Sequence, residues 1–487
     1  MSLSGTEAGG WRPRIGLALG PALALAMLWW GPPAELATHA WAVAALTVLM
    51  ATWWVSEAVP VPVTALLPIP LLPALGANSV AEAASPYANP LIFLFLGGFL
   101  IAQAIQRWNL HLRIALRIVD LAGHRPDRLV AGFMLATALL SMWISNTATA
   151  AMMLPIGLSV IALLESSRES APGPVFAVAL MLGIAFGANI GGMGTLIGTP
   201  PNALLAAFMA DAYGVRIGFG QWLAIGVPVA ATLLAICWWL LVRVAFPLPR
   251  REVSGVSILL EQQRASLGPL SAPERRILIV FLTVAAAWIL RPLLEGWFPE
   301  TGLSDPGIAL AGALALFILP SGHPEQPALL DWASTRELPW GVLLLVGGGL
   351  SLGTAIESSG LAGELASALD VLAGWPISLV VGAVALLAML LSHVTSNTAT
   401  AATLLPVAAG VAIMLGESPL LLAAPVVLAA SCAFMLPVAT PPNAIVFGSD
   451  RIRVPDMIRG GSLISLAALA VIVPVVFVLV MPLLGDQ

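Results

Sequence analysis

Ser145-Asn146-Thr147-Ala148-Thr149 recurs residue for residue as Ser396-Asn397-Thr398-Ala399-Thr400. Each copy is followed, tens of residues on, by Thr-Pro-Pro-Asn: first Thr199-Pro200-Pro201-Asn202, then Thr440-Pro441-Pro442-Asn443. Both pairs lie in otherwise apolar sequence. One such motif alone reads as interhelical glue or a helix kink. Four of them in paired order read as two halves of a transporter, with the binding site where broken helices from the two halves meet.

Working outward, the offset between copies is nearly constant. The Ser-Asn-Thr copies lie 251 positions apart and the Thr-Pro-Pro-Asn copies 241. A third landmark, Leu96-Gly97-Gly98-Phe99-Leu100 against Val346-Gly347-Gly348-Gly349-Leu350, is offset by 250. This implies a duplication with the slippage in a loop. The glycine runs read as close-packing devices. The expected organisation is an N-terminal helix in 1–40, a first repeat over 41–246, a cytoplasmic linker over 247–276 and a second repeat over 277–487. Within the repeats we expect a hairpin at about 129–166 and a broken helix at about 175–210, then a hairpin at about 376–416 and a broken helix at about 420–448. The linker has room for a short surface helix around Ser257–Ser266.

Composition sets the class. Hydrophobic residues make up 59% of the 487 positions and charged residues only 9%, against about 25% charged in ordinary soluble domains. Apolar stretches of about 20 residues, the length a bilayer core demands, recur along the chain. The fold class is therefore an all-α polytopic membrane protein of about 11 spans, without the alternation of an outer-membrane barrel. Cys237 and Cys432 stand in apolar segments and do not make a disulfide framework or a thiolate metal site. The paired tryptophans Trp29-Trp30 and Trp238-Trp239 read as interface anchors or packing.

Every basic residue is arginine, a compositional bias, and the arginines are placed unevenly. Arg12 and Arg14 precede the first apolar segment, so the N-terminus is expected in the cytoplasm. That segment, about 15–31, lacks a small-residue cleavage site and reads as a retained helix. Arg107, Arg113, Arg117, Arg125 and Arg128 precede the first Ser-Asn-Thr, and Arg168 follows it. Both ends of that segment are thus expected in the cytoplasm. The second copy is flanked by Glu357, Glu364, Asp370 and Glu417, with no arginine between Arg336 and Arg451. Its ends are expected outside. Arg216 and Arg291 are the main exceptions, and the stretch with Glu295, Glu300 and Asp305 reads as outside. Opposite flanks make the repeats inverted and put each motif at the tip of a re-entrant hairpin, a backbone tolerated at membrane depth only where it is buried or lines a wet cavity.

The chemistry follows from the residue types. Ser and Asn oxygens, with carbonyls freed at a hairpin tip, suit a hard cation such as sodium. The Asn amide, the Thr hydroxyl and unpaired N–H groups at a helix start suit an anion. Pro-Pro removes two donors and forces the preceding residue out of helical geometry. Behind the break, Asn202 or Asn443 opens a half-helix whose N-terminus attracts negative charge. With no lysine and no arginine near the motifs, helix ends and co-bound cations must balance an anion, which is a physical reason for coupling. Two residues admit two readings each. Glu57 is a proton carrier or a locally paired segment end. His393, close to the second copy, is a packed neutral side chain or, protonated, one that replaces or repels a cation.

These residues carry a resemblance. Trp53-Trp54-Val55-Ser56-Glu57-Ala58-Val59-Pro60, Phe95-Leu96-Gly97-Gly98-Phe99 and the four doubled motifs, in order, resemble the divalent anion:sodium symporter family, whose members move dicarboxylates, citrate or sulfate. The likeness spans nearly the whole chain. It implies a homodimer, each protomer with a scaffold domain and a transport domain that moves as an elevator. Carried over by position, a first sodium site would use Ser141, Ser145, Asn146 and the Gly198 backbone. A second would use Ser392, Ser396, Asn397 and the Ala439 backbone. Substrate carboxylates would meet Asn146 and Thr147 on one side, Asn397 and Thr398 on the other, with Thr199, Pro200, Thr440 and Pro441 completing the pocket. His393 departs from the pattern, since sodium-coupled members often carry an acidic residue there.

The expectation is a sodium-coupled importer of C4-dicarboxylates such as succinate, malate or fumarate. It would sit among lipids in a bacterial-type inner membrane, N-terminus inside and C-terminus outside, with co-transported sodium ions as cofactor and no nucleic-acid partner. Sodium-independent dicarboxylate exchange, and sulfate or citrate as the anion, are the alternatives. An intramembrane enzyme is disfavoured, because no His-Glu-x-x-His or membrane Gly-x-Ser-x-Gly constellation occurs.

Overall fold

The computed structural model describes residues 11–33, 36–166, 173–253, 255–297, 301–367 and 374–485. Arg168, Glu300 and Asp370, used above for orientation, lie outside them. Within these residues the chain is almost wholly helical, and ten helices are long and apolar enough to cross a membrane.

The first half opens with α1 (Trp11–Trp30) and α2 (Thr38–Ser56), which pack together. Proline-rich sequence then cuts the chain into the short helices α3 (Val61–Thr64), α4 (Pro68–Ala74) and α5 (Val80–Ala84). Next come α6 (Pro90–Arg107) and an amphipathic α7 (Leu110–Ala122). A hairpin follows, α8 (Pro126–Ser141) and α9 (Asn146–Ser166), then α10 (Pro174–Gly192), an unwound stretch, α11 (Pro200–Tyr213) and α12 (Phe219–Trp239). Helix α13 (Val256–Ser266) occupies the polar stretch between the halves.

The second half repeats this order. It runs through α14 (Ala272–Trp297), α15 (Asp305–Ile318) and α16 (Trp340–Ser358), with a short α17 (Leu361–Ser367). Its hairpin is α18 (Ile377–Ser392) and α19 (Asn397–Met414). Then come α20 (Leu420–Ala430), an unwound stretch, α21 (Pro441–Phe447), α22 (Val454–Val475) and a terminal turn, α23 (Met481–Leu484). One departure from an all-helical chain is a small antiparallel hairpin, β1 (Pro320–His323) with β2 (Gln326–Ala328). Gly322 turns it with φ of +88°, a conformation open to glycine at no steric cost.

Burial separates centre from rim. Every residue of α20 is buried, as is nearly all of α10. By contrast α14 exposes Ile279, Leu282, Ile289, Leu290 and Leu293, a face suited to lipid. The halves interlock crosswise, α9 and α10 packing on α21 and α11 on α19. The glycine runs act where helices touch: a Cβ on Gly97 would sit 2.6 Å from Ala309 Cβ, and one on Gly348 would run into the Ala65 carbonyl.

Arginines tie the ends together. Arg113 donates to Glu274 Oε1 at 2.8 Å and to the Gly268 carbonyl at 2.9 Å, pinning α7 to the start of α14. Asp127 accepts from Arg125 at 2.9 Å and from Arg243 at 2.5 Å. Arg107 lies 2.6 Å from Asp331 and holds that carboxyl well below the usual carboxylate range.

Candidate functional site

Each hairpin tip is a short turn between two apolar legs. At the first, Ser141 ends α8 and Asn146 begins α9, so five positions bring their side chains face to face. Ser141 Oγ lies 2.6 Å from Asn146 Oδ1 and 2.7 Å from the Ala188 carbonyl of α10. At the second, Ser392 Oγ lies 2.7 Å from Asn397 Oδ1 and 2.6 Å from the Ala430 carbonyl of α20. A serine hydroxyl has one proton for two acceptors in each case.

The Asn146 amide faces three oxygens: Ser141 Oγ at 2.6 Å, Gly198 O at 3.2 Å and Ala188 O at 3.3 Å. With its nitrogen turned toward them, its two protons are shared among the three. With its oxygen toward them, four oxygens converge with a single hydroxyl proton among them. That donor set fits a hard monovalent cation. The cage depends on close backbone approach, since a Cβ on Gly192 would lie 2.5 Å from Asn146 Oδ1.

Ser145 and Ser396 stabilise the helix starts, accepting from Ala148 N at 3.3 Å and Ala399 N at 3.1 Å. The tips differ behind this shared geometry. Thr400 pairs with Thr395 at 2.6 Å, whereas Ile144 takes the matching position in the first half and the buried hydroxyl of Thr149 has no partner. Trp143, at the first tip, stacks with Phe219 and Trp288 at 5.9 and 6.4 Å. Its counterpart Val394 is exposed.

The two broken helices have matching entries. Thr199 (φ −145°, ψ 141°) and Thr440 (φ −143°, ψ 150°) are both extended, each ahead of a double proline. Asn202 and Asn443 do not present themselves to a ligand. They are fully buried, and Asn202 Nδ2 donates back to Thr195 O at 2.8 Å and to Gly192 O and Met193 O at 3.3 Å. Asn443 Nδ2 likewise reaches Leu436 O at 3.0 Å and Ala433 O at 3.2 Å. The unwound carbonyls have lost their helical donors, and the asparagine of each motif replaces them.

One cavity of about 670 Å³ gathers the expected anion contacts from both halves: Asn146, Thr147, Thr199 and Pro200 with Asn397, Thr398, Thr440 and Pro441. Ser145, Gly198, Ser396 and Ala439 also line it, while Ser141 and Ser392 sit buried behind. Glu57 is the one ionisable side chain among the described lining residues, and no arginine or histidine is among them. Glu57 is exposed and ends α2 with φ of +51°.

His393 does not face the cavity. Its Nδ1 lies 2.7 Å from the Met389 carbonyl, and its Nε2 accepts from Met435 N at 3.2 Å. Both ring nitrogens are used, which selects the packed, neutral reading. Its work is to hold the second tip against the unwound stretch ahead of α21. Among the polar wall residues, the sequence reading did not single out Asn189 of α10. The available signal was a lone amide in the otherwise apolar run 174–190.

Paired hairpin tips and paired broken helices enclosing one cavity in a polytopic helical chain define a membrane transporter. The comparisons agree. The chain belongs to the family described as the sodium:sulfate symporter transmembrane region, whose model matches residues 16–485. It is 41% identical over 477 residues to the sodium-dependent dicarboxylate transporter SdcS of Staphylococcus saprophyticus, covering 97% of this chain and 92% of that one. SdcS of Staphylococcus aureus USA300 matches with the same identity and coverage. Among solved structures, MtrF of Neisseria gonorrhoeae, one of a class of antimetabolite efflux pumps, aligns with a TM-score of 0.59 at 15% identity, over 94% of this chain and 98% of that one. The YdaH transporter of Alcanivorax borkumensis aligns at 0.51 and 14%, over 89% and 98%. Those two likenesses concern the fold alone. Family and relatives are transporters, not enzymes.

Proposed function

We propose that this chain imports C4-dicarboxylates such as succinate, malate or fumarate together with sodium. The observation that carries the reading is the cavity itself: oxygen cages at both tips and no basic side chain among the described lining residues. A dianion entering such a space needs positive charge brought from outside, and sodium held by Ser141, Ser145, Asn146 and Gly198 O, and by Ser392, Ser396, Asn397 and Ala439 O, supplies it beside the anion. The printed name of the Staphylococcus relatives supports both cargoes.

Asn146 and Asn397 give the coupling a chemical form. An amide has an oxygen at one end and a nitrogen at the other. Without a cation, Asn146 Nδ2 is drawn to Ser141 Oγ, Gly198 O and Ala188 O. Sodium in the cage requires Oδ1 there instead and turns Nδ2 toward the cavity. Cation binding thereby creates an anion donor. With Thr147 and Thr398, the two amides then meet carboxylates from opposite sides, an arrangement suited to two separated charges. Thr199, Pro200, Thr440 and Pro441 complete the pocket.

The hairpins and broken helices, interlocked across the halves, would move as one body past the remaining helices in an elevator step. The arginine distribution supports an inner-membrane orientation with the N-terminus inside and the C-terminus outside. The family resemblance adds a homodimer embedded in lipid.

The test is labelled succinate uptake into proteoliposomes, empty or loaded with succinate, with external sodium replaced by potassium or choline. Uptake into empty vesicles that requires inward sodium is the expected result. Uptake that ignores sodium and requires internal succinate would establish exchange instead. Labelled sulfate and citrate in the same assay decide the anion.

A further inference from the structure

We propose that Asn189 is a positioning residue that locks the Thr440 hydroxyl as a hydrogen-bond donor toward the bound anion, making the two halves of the site chemically unequal. The inference rests on the transport reading above and deepens it.

Asn189 belongs to α10 of the first half, yet its amide reaches the second. Nδ2 donates to Thr440 Oγ1 at 3.0 Å and lies 3.5 Å from Asn443 Oδ1. The orientation of this amide is determined by its neighbours. Asn443 Nδ2 is committed to the carbonyls of Ala433 and Leu436. Carbonyls only accept, so Asn443 Oδ1 must face the other way, toward Asn189. Asn189 therefore presents its nitrogen to that oxygen and to Thr440. Its own Oδ1 is left buried without a partner, and the side chain is 1% exposed.

Thr440 Oγ1 receives a second donor, Asn443 N at 3.4 Å, as the cap of α21. A hydroxyl has two lone pairs and one proton. With both lone pairs occupied, the proton is the one remaining valence, and Thr440 lines the cavity. Its hydroxyl can then only donate into that space, which a carboxylate oxygen can use and a donor group cannot. Were Asn189 reversed, its oxygen would take that proton and remove the donor.

Among the described residues the first half has no such device. Thr199 shares the extended backbone of Thr440 but makes no side-chain cap bond. The counterpart of Asn189 is Ser431, since Ala188 and Ala430 are the matching carbonyls behind the two serines. Ser431 donates within its own helix, to Val427 O at 3.2 Å. The Thr199 hydroxyl is thus not committed to donation by a capping N–H, while the Thr440 end demands an acceptor.

The experiment compares succinate transport by wild type, Asn189→Leu, Asn189→Asp, Thr440→Val, Thr440→Ser and the double variant Asn189→Leu/Thr440→Val in proteoliposomes, with succinate binding to the purified proteins followed by thermal shift. Losing a donor to a charged group corresponds to about a tenfold rise in succinate KM. That rise is expected for Asn189→Leu and for Thr440→Val, with kcat and the sodium concentration for half-maximal uptake little changed. The double variant is expected to be no worse than either single one, and Thr440→Ser, which keeps the hydroxyl, to recover most of the affinity that Thr440→Val loses. Asn189→Asp keeps the shape, loses the donor and is expected to weaken succinate at least as much. Additive losses in the double variant, an unchanged KM, or a shift in sodium dependence would each overturn the inference. A wild type that binds none of succinate, citrate or sulfate overturns the transport reading and this one together. A wild type that binds one of them as well as its Asn189 variants do overturns this one alone.

Discussion

Ser141 Oγ stands 2.6 Å from Asn146 Oδ1, and the same contact recurs at Ser392 and Asn397. Each serine is fully buried behind the cavity and reaches it only through the asparagine. Under the proposed reading its oxygen would serve the cation and not the anion. Ser141→Ala and Ser392→Ala are expected to raise the sodium concentration for half-maximal uptake by roughly tenfold, equivalent to ~1.4 kcal/mol. Succinate KM at saturating sodium should move little. Sodium titrations of uptake check this, and an unchanged sodium dependence in both variants would remove the serines from the cages.

Under the same reading, Asn146 and Asn397 would separate the two cargoes in another way. Asp in place of Asn keeps an oxygen for the cage, removes the amide donor and adds a negative charge beside the anion. Asn146→Asp and Asn397→Asp are expected to retain sodium binding and lose dicarboxylate binding. Alanine at either position should abolish transport without unfolding the protein. Sodium-dependent and succinate-dependent shifts in melting temperature distinguish the two effects.

The buried asparagines of the Thr-Pro-Pro-Asn motifs have a structural task. Asn202→Ala removes bonds to three carbonyls and Asn443→Ala bonds to two. Leaving buried carbonyls unpaired costs about 1–3 kcal/mol each, so both variants should melt well below wild type, Asn202→Ala more so. Equal melting temperatures in detergent would contradict the assignment.

His393→Leu leaves the Met435 N–H without its acceptor, a loss of about 1–3 kcal/mol if that group stays dry. Transport should remain sodium-coupled, because the ring points away from the cavity. A variant that turned into a sodium-independent exchanger would restore the cationic reading of this histidine.

Much of the cavity's polar lining was legible in the chain. Ser145 and Ser396, Thr199 and Thr440 announced themselves because polar residues and double prolines are conspicuous in apolar sequence, and because each occurs twice. The likeness to a family added Ser141 and Ser392 behind the tips. Orientation was harder to read. Asn202 and Asn443 stand at the starts of half-helices, as their place in the motif implies, but nothing in the chain shows that their amides turn back on the unwound carbonyls. Asn189 passed unnoticed because its partner, Thr440, lies 251 positions away.

Composition and repetition, then, determined by themselves that the chain is a helical membrane protein built twice over, since a bilayer rewards long apolar helices and tolerates their interruption only at a buried or wet site. What the tertiary structure alone decided is how the two copies differ: Trp143 stacked and Val394 exposed, Thr440 capped and bound to Asn189 while Thr199 is not. Those differences arise from packing between segments far apart in the chain. A repeat seen in one dimension is symmetric, and only the partners each copy meets in three make it unequal.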